Sequence, residues 1–178
     1  PLLLTGLDYE GQWAADLSKK IGLPVLTAVD PHAIALKAMG VKKVAIATYF
    51  GDELNQAIVD HFSRFGLESV IMPGFSGTGQ TEALYTTPLL RLDDVSYMDV
   101  YRHCKRGVRS LGTPVDAIYI NGGGWDAAPA VQLLEDDLKV KVVWALAAEM
   151  WLTYHKLAIS NPLQGCGSLF SGNYQPLP

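Results

Sequence analysis

Short β-branched apolar runs alternate along the chain with segments of helical period. The runs cover residues 2–5, 24–28, 43–48, 69–72, 117–120 and 141–145. Between them Leu54, Ile58, Phe62 and Phe65 recur at helical spacing behind Asp52, an expected N-cap. Val131, Leu134 and Leu138 do the same behind Asp126, with Pro129 in the first turn, where a missing N–H is tolerated. Trp13, Leu17 and Ile21 mark a helix ending near Gly22, and residues 33–39 a shorter one ending at Gly40. Residues 94–111 and 145–157 supply two more. This alternation predicts βαβ units, hence an α/β fold with a parallel sheet. Runs such as "VAIAT" and "AIYI" are nearly continuous in apolar character, as strands covered by helices on both faces must be. Two segments stand outside the pattern. "PGFSGTGQTEALYTTP", residues 73–88, has the length of a lid or binding loop as readily as of an insertion. The stretch 160–178, rich in Pro, Gly and Asn, is expected to be a wrapping or loose tail.

Composition narrows the picture. The 178 residues, 49% hydrophobic and 18% charged, suffice for one sizeable core or for two small lobes sharing one. A net charge of −4, with no run of more than two Lys or Arg, argues against nucleic acid or an anionic membrane as a partner. The apolar runs are far shorter than the ~20 residues of a membrane span. Cys104 and Cys166 lie far apart and in no ligand spacing, which reads as free thiols in a reducing cytoplasm. His32, His61, His103 and His155 show no metal spacing and are expected to be structural or at the surface. "GFSGTG", residues 74–79, matches a dinucleotide fingerprint only superficially, because it does not lead directly into a helix. Neither metal nor cofactor is expected. A core-like strand at residue 2, in a chain opening "PLLLTG", raises the expectation of a further segment upstream.

The chemistry-bearing element is "DAIYINGGGWDAAPAVQLLEDDL", residues 116–138: a buried strand, a glycine elbow and an amphipathic helix. No Cys, Ser or His stands in the elbow Gly122-Gly123-Gly124. Its backbone N–H groups, expected at the positive end of the following helix, suit a carboxylate or enediolate. The plainer alternative is a tight turn that needs positive φ.

The segment "IGLPVLTAVDPHAIALKAMGVKKVAIATYFGDELNQAIVDHF" resembles the middle of the aspartate/glutamate racemase superfamily, most closely its arylmalonate decarboxylase and maleate cis–trans isomerase branch. The match runs nearly residue by residue from Lys37 to Asn55, through "ATYFGDELN". "VDAIYINGGGWDAAPAVQLLEDDLKVKVV" fits the second half-site without a gap, and "GCGSLF" resembles the closing motif. The resemblance implies two Rossmann-like, flavodoxin-like lobes related by pseudo-twofold symmetry, with the active site between them at the strand carboxyl ends. Residues 1–39 plus 144–178 would form the first lobe, lacking its first strand–helix unit, and residues 40–143 the second.

Relatives of this kind carry a cysteine in one or both half-sites. The aligned positions here are Leu4 and Gly122, and neither Cys104 nor Cys166 is placed to substitute. What the resemblance carries over is an oxyanion site. Thr5 keeps the threonine of the first elbow, Gly6 replaces a serine but still offers its N–H, and Gly122 and Gly123 offer theirs. The tyrosine of the Thr-x-Tyr turn aligns with Phe50, with Tyr49 one residue earlier. Asn121, Phe50, Gly124 and Trp125, the last at the crevice rim, are the expected substrate contacts. The implied function is a cofactor-independent, decarboxylase-like lyase (or isomerase) acting on a small substituted malonate or related carboxylate. Tyr49, Asp8, Glu10 and water all remain open as the proton donor. The alternative is a carboxylate-binding pseudoenzyme without turnover. Each residue also has a plainer role: Thr5 as a helix cap, Tyr49 and Trp125 as packing, Asp8 and Glu10 as helix N-terminal acids. The expected partner is a small carboxylate in the cytoplasm, bound by a monomer or a homodimer.

Overall fold

A computed structural model describes residues 7–73, 95–160 and 163–176, with side chains from residue 11 onward. Eleven elements follow in order: α1 (Leu7–Ile21), α2 (Asp30–Ala38), β1 (Lys43–Ala47), α3 (Asp52–Arg64), β2 (Glu68–Ile71), α4 (Tyr97–Ser110), β3 (Ala117–Ile120), α5 (Ala128–Leu138), β4 (Lys141–Trp144), α6 (Ala145–Lys156) and α7 (Ser168–Ser171). The four strands form one parallel sheet in the order β2-β1-β3-β4. Val44 pairs with both Ser69 and Ala117, and Ile118 with Val142.

Successive strand residues face opposite sides, so each strand feeds two cores. Val44, Ile46, Ala117, Tyr119 and Val143 pack with Leu36 of α2, Phe62 of α3, Trp151 of α6 and Leu169 of α7. Ala45, Ala47, Ile118, Ile120 and Val142 pack with Val100 and Cys104 of α4 and Ala130 and Leu134 of α5. Both faces are therefore covered, which is why these strands read as unbroken apolar runs.

The end of the sheet where the strands begin is tied by Asp116, whose carboxylate accepts the N–H groups of Lys42 and Lys43 at 2.9 Å each. The tail wraps rather than hangs free at α7. Glu135 accepts hydrogen bonds from Val142 N–H, Ser168 N–H and Ser168 Oγ, pinning α7 beside β4 while Leu169 and Phe170 are buried.

Several boundaries differ from expectation. Residues 24–28 pair with no described strand and simply connect α1 to α2; Pro24, Leu26 and Ala28 there are exposed and only Val25 and Thr27 partly buried. Asp52 is the first residue of α3, and Gly51, in extended conformation, is the N-cap. Asp126 does not cap α5 either: Ala127 precedes Ala128, and Pro129 sits in the first turn. α4 begins at Tyr97 because Ser96 and Asp99 close a capping box, each side chain bonding the other's backbone N–H. The predicted strand 2–5, Thr5 and Gly6, and residues 74–94, which include most of the 73–88 loop, lie outside the described residues.

Candidate functional site

A cavity of about 200 Å³ opens at the carboxyl ends of β1, β3 and β4. Phe50 follows β1, Asn121, Gly122 and Gly123 follow β3, and Ala145 follows β4. Ala28, Val29 and His32 come from the start of α2, Leu54 and Ile58 from α3, and Glu149 from the second turn of α6. The first turns of α2, α3 and α6 thus converge on the cavity, each with the positive end of its backbone dipole. Crossing from strand to helix at the sheet's carboxyl edge is what gathers these residues; crevices in open α/β sheets form there.

One wall of the cavity is polar. Tyr119 Oη lies 2.7 Å from His32 Nδ1 and donates to Asn121 Oδ1 at 2.9 Å. His32 Nε2 lies 3.1 Å from Glu149 Oε1. The result is a continuous chain, Glu149–His32–Tyr119–Asn121, in which the last three side chains are buried. Burial, reinforced by the nearby Glu149 carboxylate, holds the Tyr119 phenol well above its ordinary range, so it stays protonated. The amide nitrogen of Asn121, Nδ2, is buried with no protein partner. An unpaired buried donor in a cavity wall costs roughly 1–3 kcal/mol unless a ligand or water takes it.

The elbow itself is held from behind. Gly122 has φ +94°, a conformation that favours glycine, and a Cβ built there would lie 2.4 Å from Tyr49 Oη. Tyr49 thus occupies the space a side chain at 122 would need. Its hydroxyl accepts the Gly124 N–H at 3.1 Å, and its ring meets Trp125 edge-on with centroids 5.0 Å apart. Burial raises the Tyr49 pKa, partly offset by the Gly124 N–H. Trp144 Nε1 donates to the Gly122 carbonyl at 3.0 Å.

Of the residues predicted from sequence, Phe50, Asn121, Gly122 and Gly123 come together around the cavity. Tyr49 faces the α4/α5 core, opposite to Phe50, as adjacent extended residues must. Trp125 is 1% exposed in that same core and does not line the cavity, so it is packing rather than rim. Gly124 spends its N–H on Tyr49. The elbow is also not the start of a helix: α5 begins at Ala128, so the helix starts near the cavity are those of α2, α3 and α6 rather than α5. Thr5 and Gly6 lie outside the described residues, and the side chains of Asp8 and Glu10 are likewise not described.

His32, Tyr119 and Glu149 are the polar cavity residues that sequence reasoning missed; His32 was expected to be structural or superficial. His32 and Glu149 are 117 positions apart, and neither was singled out by a motif. Neither cysteine lines the cavity: Cys104 is fully buried in α4, where burial pushes its thiol up to about 12, and Cys166 packs with the tail. Among the described residues no group of His, Cys, Asp and Glu is arranged to hold a metal ion, and no helix is long and apolar enough to cross a membrane.

A parallel α/β sheet with a small, largely apolar crevice at its carboxyl edge, one glycine elbow and a few converging polar groups defines a small-ligand site of the doubly wound class. The chain belongs to the arylmalonate decarboxylase family, whose model matches residues 3–170. It is 25% identical over 146 residues to the arylmalonate decarboxylase of Bordetella bronchiseptica, an alignment covering 82% of this chain and 57% of that protein. The chain therefore spans little more than half the length of this curated relative. The fold is shared with a crystal structure of arylmalonate decarboxylase (TM-score 0.80, 22% identity, 94% of this chain and 69% of the other). It is shared also with the maleate isomerase of Pseudomonas putida S16 (TM-score 0.78, 21% identity, 97% and 67%).

Proposed function

We propose that this protein is a cofactor-independent, decarboxylase-like lyase acting on a small substituted malonate without a catalytic cysteine. Family membership supports the reaction class, and the observation that carries the reading is the cavity wall formed by Asn121, Gly122 and Gly123. Cis–trans isomerisation by thiol addition needs a cysteine, and among the described residues neither Cys104 nor Cys166 lines the cavity. Decarboxylation needs less. The bond to the leaving carboxylate breaks, CO2 departs, and the electron pair is held as an enediolate until a proton arrives. Preorganised donors aimed at the enediolate oxygens supply most of that stabilisation, and losing one such donor typically costs ~3 kcal/mol. The Gly122 and Gly123 N–H groups, the Asn121 amide and the converging helix starts are suited to this, with the apolar Phe50, Leu54 and Ile58 excluding water from the leaving group. Thr5 and Gly6 of the first elbow complete the site in this reading.

The opposing reading keeps the cradle but has no turnover, and Glu149 favours it, since a carboxylate at the cavity opposes a second anion. Proton NMR in D2O of the full-length protein with aryl- and alkylmalonates, maleate, aspartate and glutamate separates the two. Loss of one malonate carboxylate with a single deuterium incorporated is the expected result. Line broadening without conversion across the panel would establish the binding protein instead.

A further inference from the structure

We propose that Tyr119 and Asn121 are catalytic residues of this pocket, oriented by His32 and Glu149, and that Tyr119 delivers the proton to carbon. The inference rests on the lyase reading above and deepens it by naming the proton donor.

Counting protons along the chain leads there. Tyr119 donates its only proton to Asn121 Oδ1, so the 2.7 Å contact with His32 is bridged by a proton on His32 Nδ1. Glu149, an acceptor when ionised, takes a proton from His32 Nε2 at 3.1 Å. With Glu149 ionised, satisfying all three contacts at once makes His32 an imidazolium paired with that carboxylate. In this arrangement Asn121 Oδ1 is taken by Tyr119, and the NH2 group of this cavity-lining residue is buried without a protein partner. If His32 is neutral and keeps its proton on Nε2, the Tyr119 hydroxyl turns to Nδ1. The Asn121 amide must then rotate to donate to Tyr119, presenting its carbonyl oxygen to the cavity. One proton therefore switches this wall from anion-binding to anion-repelling.

The groups facing His32 are consistent with a single cation. They are Tyr119 from β3, Glu149 from α6 and His61 from α3, with Asp30 on its own helix beside His61 at 3.4 Å. Burial pushes His61 below the ordinary histidine range despite Asp30, which disfavours a second charge there.

The step balances without another reactant. After CO2 leaves, the enediolate oxygens are held by Asn121 Nδ2 and the elbow. The Tyr119 O–H bond breaks as the new C–H bond forms at the α-carbon, and the proton on His32 Nδ1 passes to the phenol oxygen. His32 becomes neutral, its Nε2–H still on Glu149, and the product is a monocarboxylate. Once product departs, water in the opened cavity returns a proton by the same path in reverse. A neutral phenol held far above its usual pKa is a poor acid towards oxygen bases, but a carbanionic centre is basic enough to take its proton. His32 and Glu149 act through Tyr119 and are positioning residues.

The test is steady-state decarboxylation of an arylmalonate by the full-length protein, with kcat and KM measured separately, for the unmodified protein and His32→Gln, Tyr119→Phe and Glu149→Gln. General acid catalysis contributes about 100-fold or more. His32→Gln and Tyr119→Phe should each lower kcat by about that factor with KM changed by less than about threefold. Glu149 is partly exposed, so Glu149→Gln should fold, and loss of the carboxylate that orients His32 should lower kcat with a similarly small change in KM. Folded His32→Gln, Tyr119→Phe or Glu149→Gln variants with near-normal kcat would overturn the proton-delivery chain while leaving the lyase reading intact. Absence of turnover in the unmodified protein would overturn the lyase reading, and the chain with it.

Discussion

Gly122→Ala is the substitution whose cost the structure fixes best. An added Cβ would meet Tyr49 Oη at 2.4 Å and Cζ at 2.6 Å, at a residue with φ +94°. Left-handed backbone costs an L-residue roughly 1–2 kcal/mol. Pushing Tyr49 aside breaks the Gly124 N–H···Oη bond and leaves a part-buried donor unpaired, roughly 1–3 kcal/mol more. The sum is about 2–5 kcal/mol, which in a domain of this size lowers Tm by about 5–15 °C. Urea titration measures the loss, and a double-mutant cycle divides it. In a Tyr49→Ala background the clash and the hydrogen bond are already gone, so Gly122→Ala should cost only the roughly 1–2 kcal/mol of backbone strain. A single Gly122→Ala variant within about 0.5 kcal/mol of the unmodified protein would refute the reasoning, as would a cycle without coupling. The same geometry bears on restoring a thiol: Gly122→Cys alone is strained, and only the pair with Tyr49→Ala makes room for the sulfur.

Further expectations follow from groups outside the cavity. Cys104, pushed up to about 12 by burial, should resist a thiol reagent in the folded protein while Cys166 reacts, leaving one fast and one slow equivalent. His103 is held down to about 4 by burial and by Arg106, so the folded state keeps it neutral while the unfolded state protonates; stability should fall as pH drops from about 6.5 to about 4. His103→Gln should flatten that part of a pH series of thermal melts. Gly107→Ala places a Cβ 2.5 Å from Met72 Sδ, and because that side chain is flexible the cost should stay within the roughly 1–3 kcal/mol of overpacking, read by urea titration.

Strand positions were written plainly in the chain. Runs of four or five apolar residues with helices on both faces leave little choice, and β1 to β4 fall within two residues of their expected bounds at each end. Residues 24–28 show the limit of the same signal. An apolar, β-branched run forms a strand only if a neighbour offers a free edge, and edges belong to tertiary structure. Caps failed for a related reason: Asp52 and Asp126 sit near helix starts and carry the right chemistry, yet neither accepts the capping bond, because Gly51 and Ala127 occupy the cap positions. The glycine elbow was legible because positive φ leaves a mark in residue type. The Glu149–His32–Tyr119–Asn121 chain was not, since its four members come from α2, β3, the β3 elbow and α6, and nothing local pairs a histidine with a glutamate 117 positions away.

Gly122 and Tyr49 explain each other, and together they explain why the polar wall stands where it does. A phenol fills the volume next to position 122, takes the Gly124 N–H, and is backed by Trp125 in edge contact, while Trp144 holds the Gly122 carbonyl. The elbow is therefore packed solid behind its backbone, and no reactive side chain can point from it without evicting an aromatic ring. The cavity side of the same elbow is left with backbone at Gly122 and Gly123 and, one residue earlier, the Asn121 amide. Rigid donors of this kind stabilise charge as it develops, because they need no reorganisation when it appears. They cannot transfer a proton to carbon. Protonation then calls for a side chain or water beside the elbow, and among the described residues Tyr119 is the hydroxyl of the cavity wall that is hydrogen-bonded to a histidine.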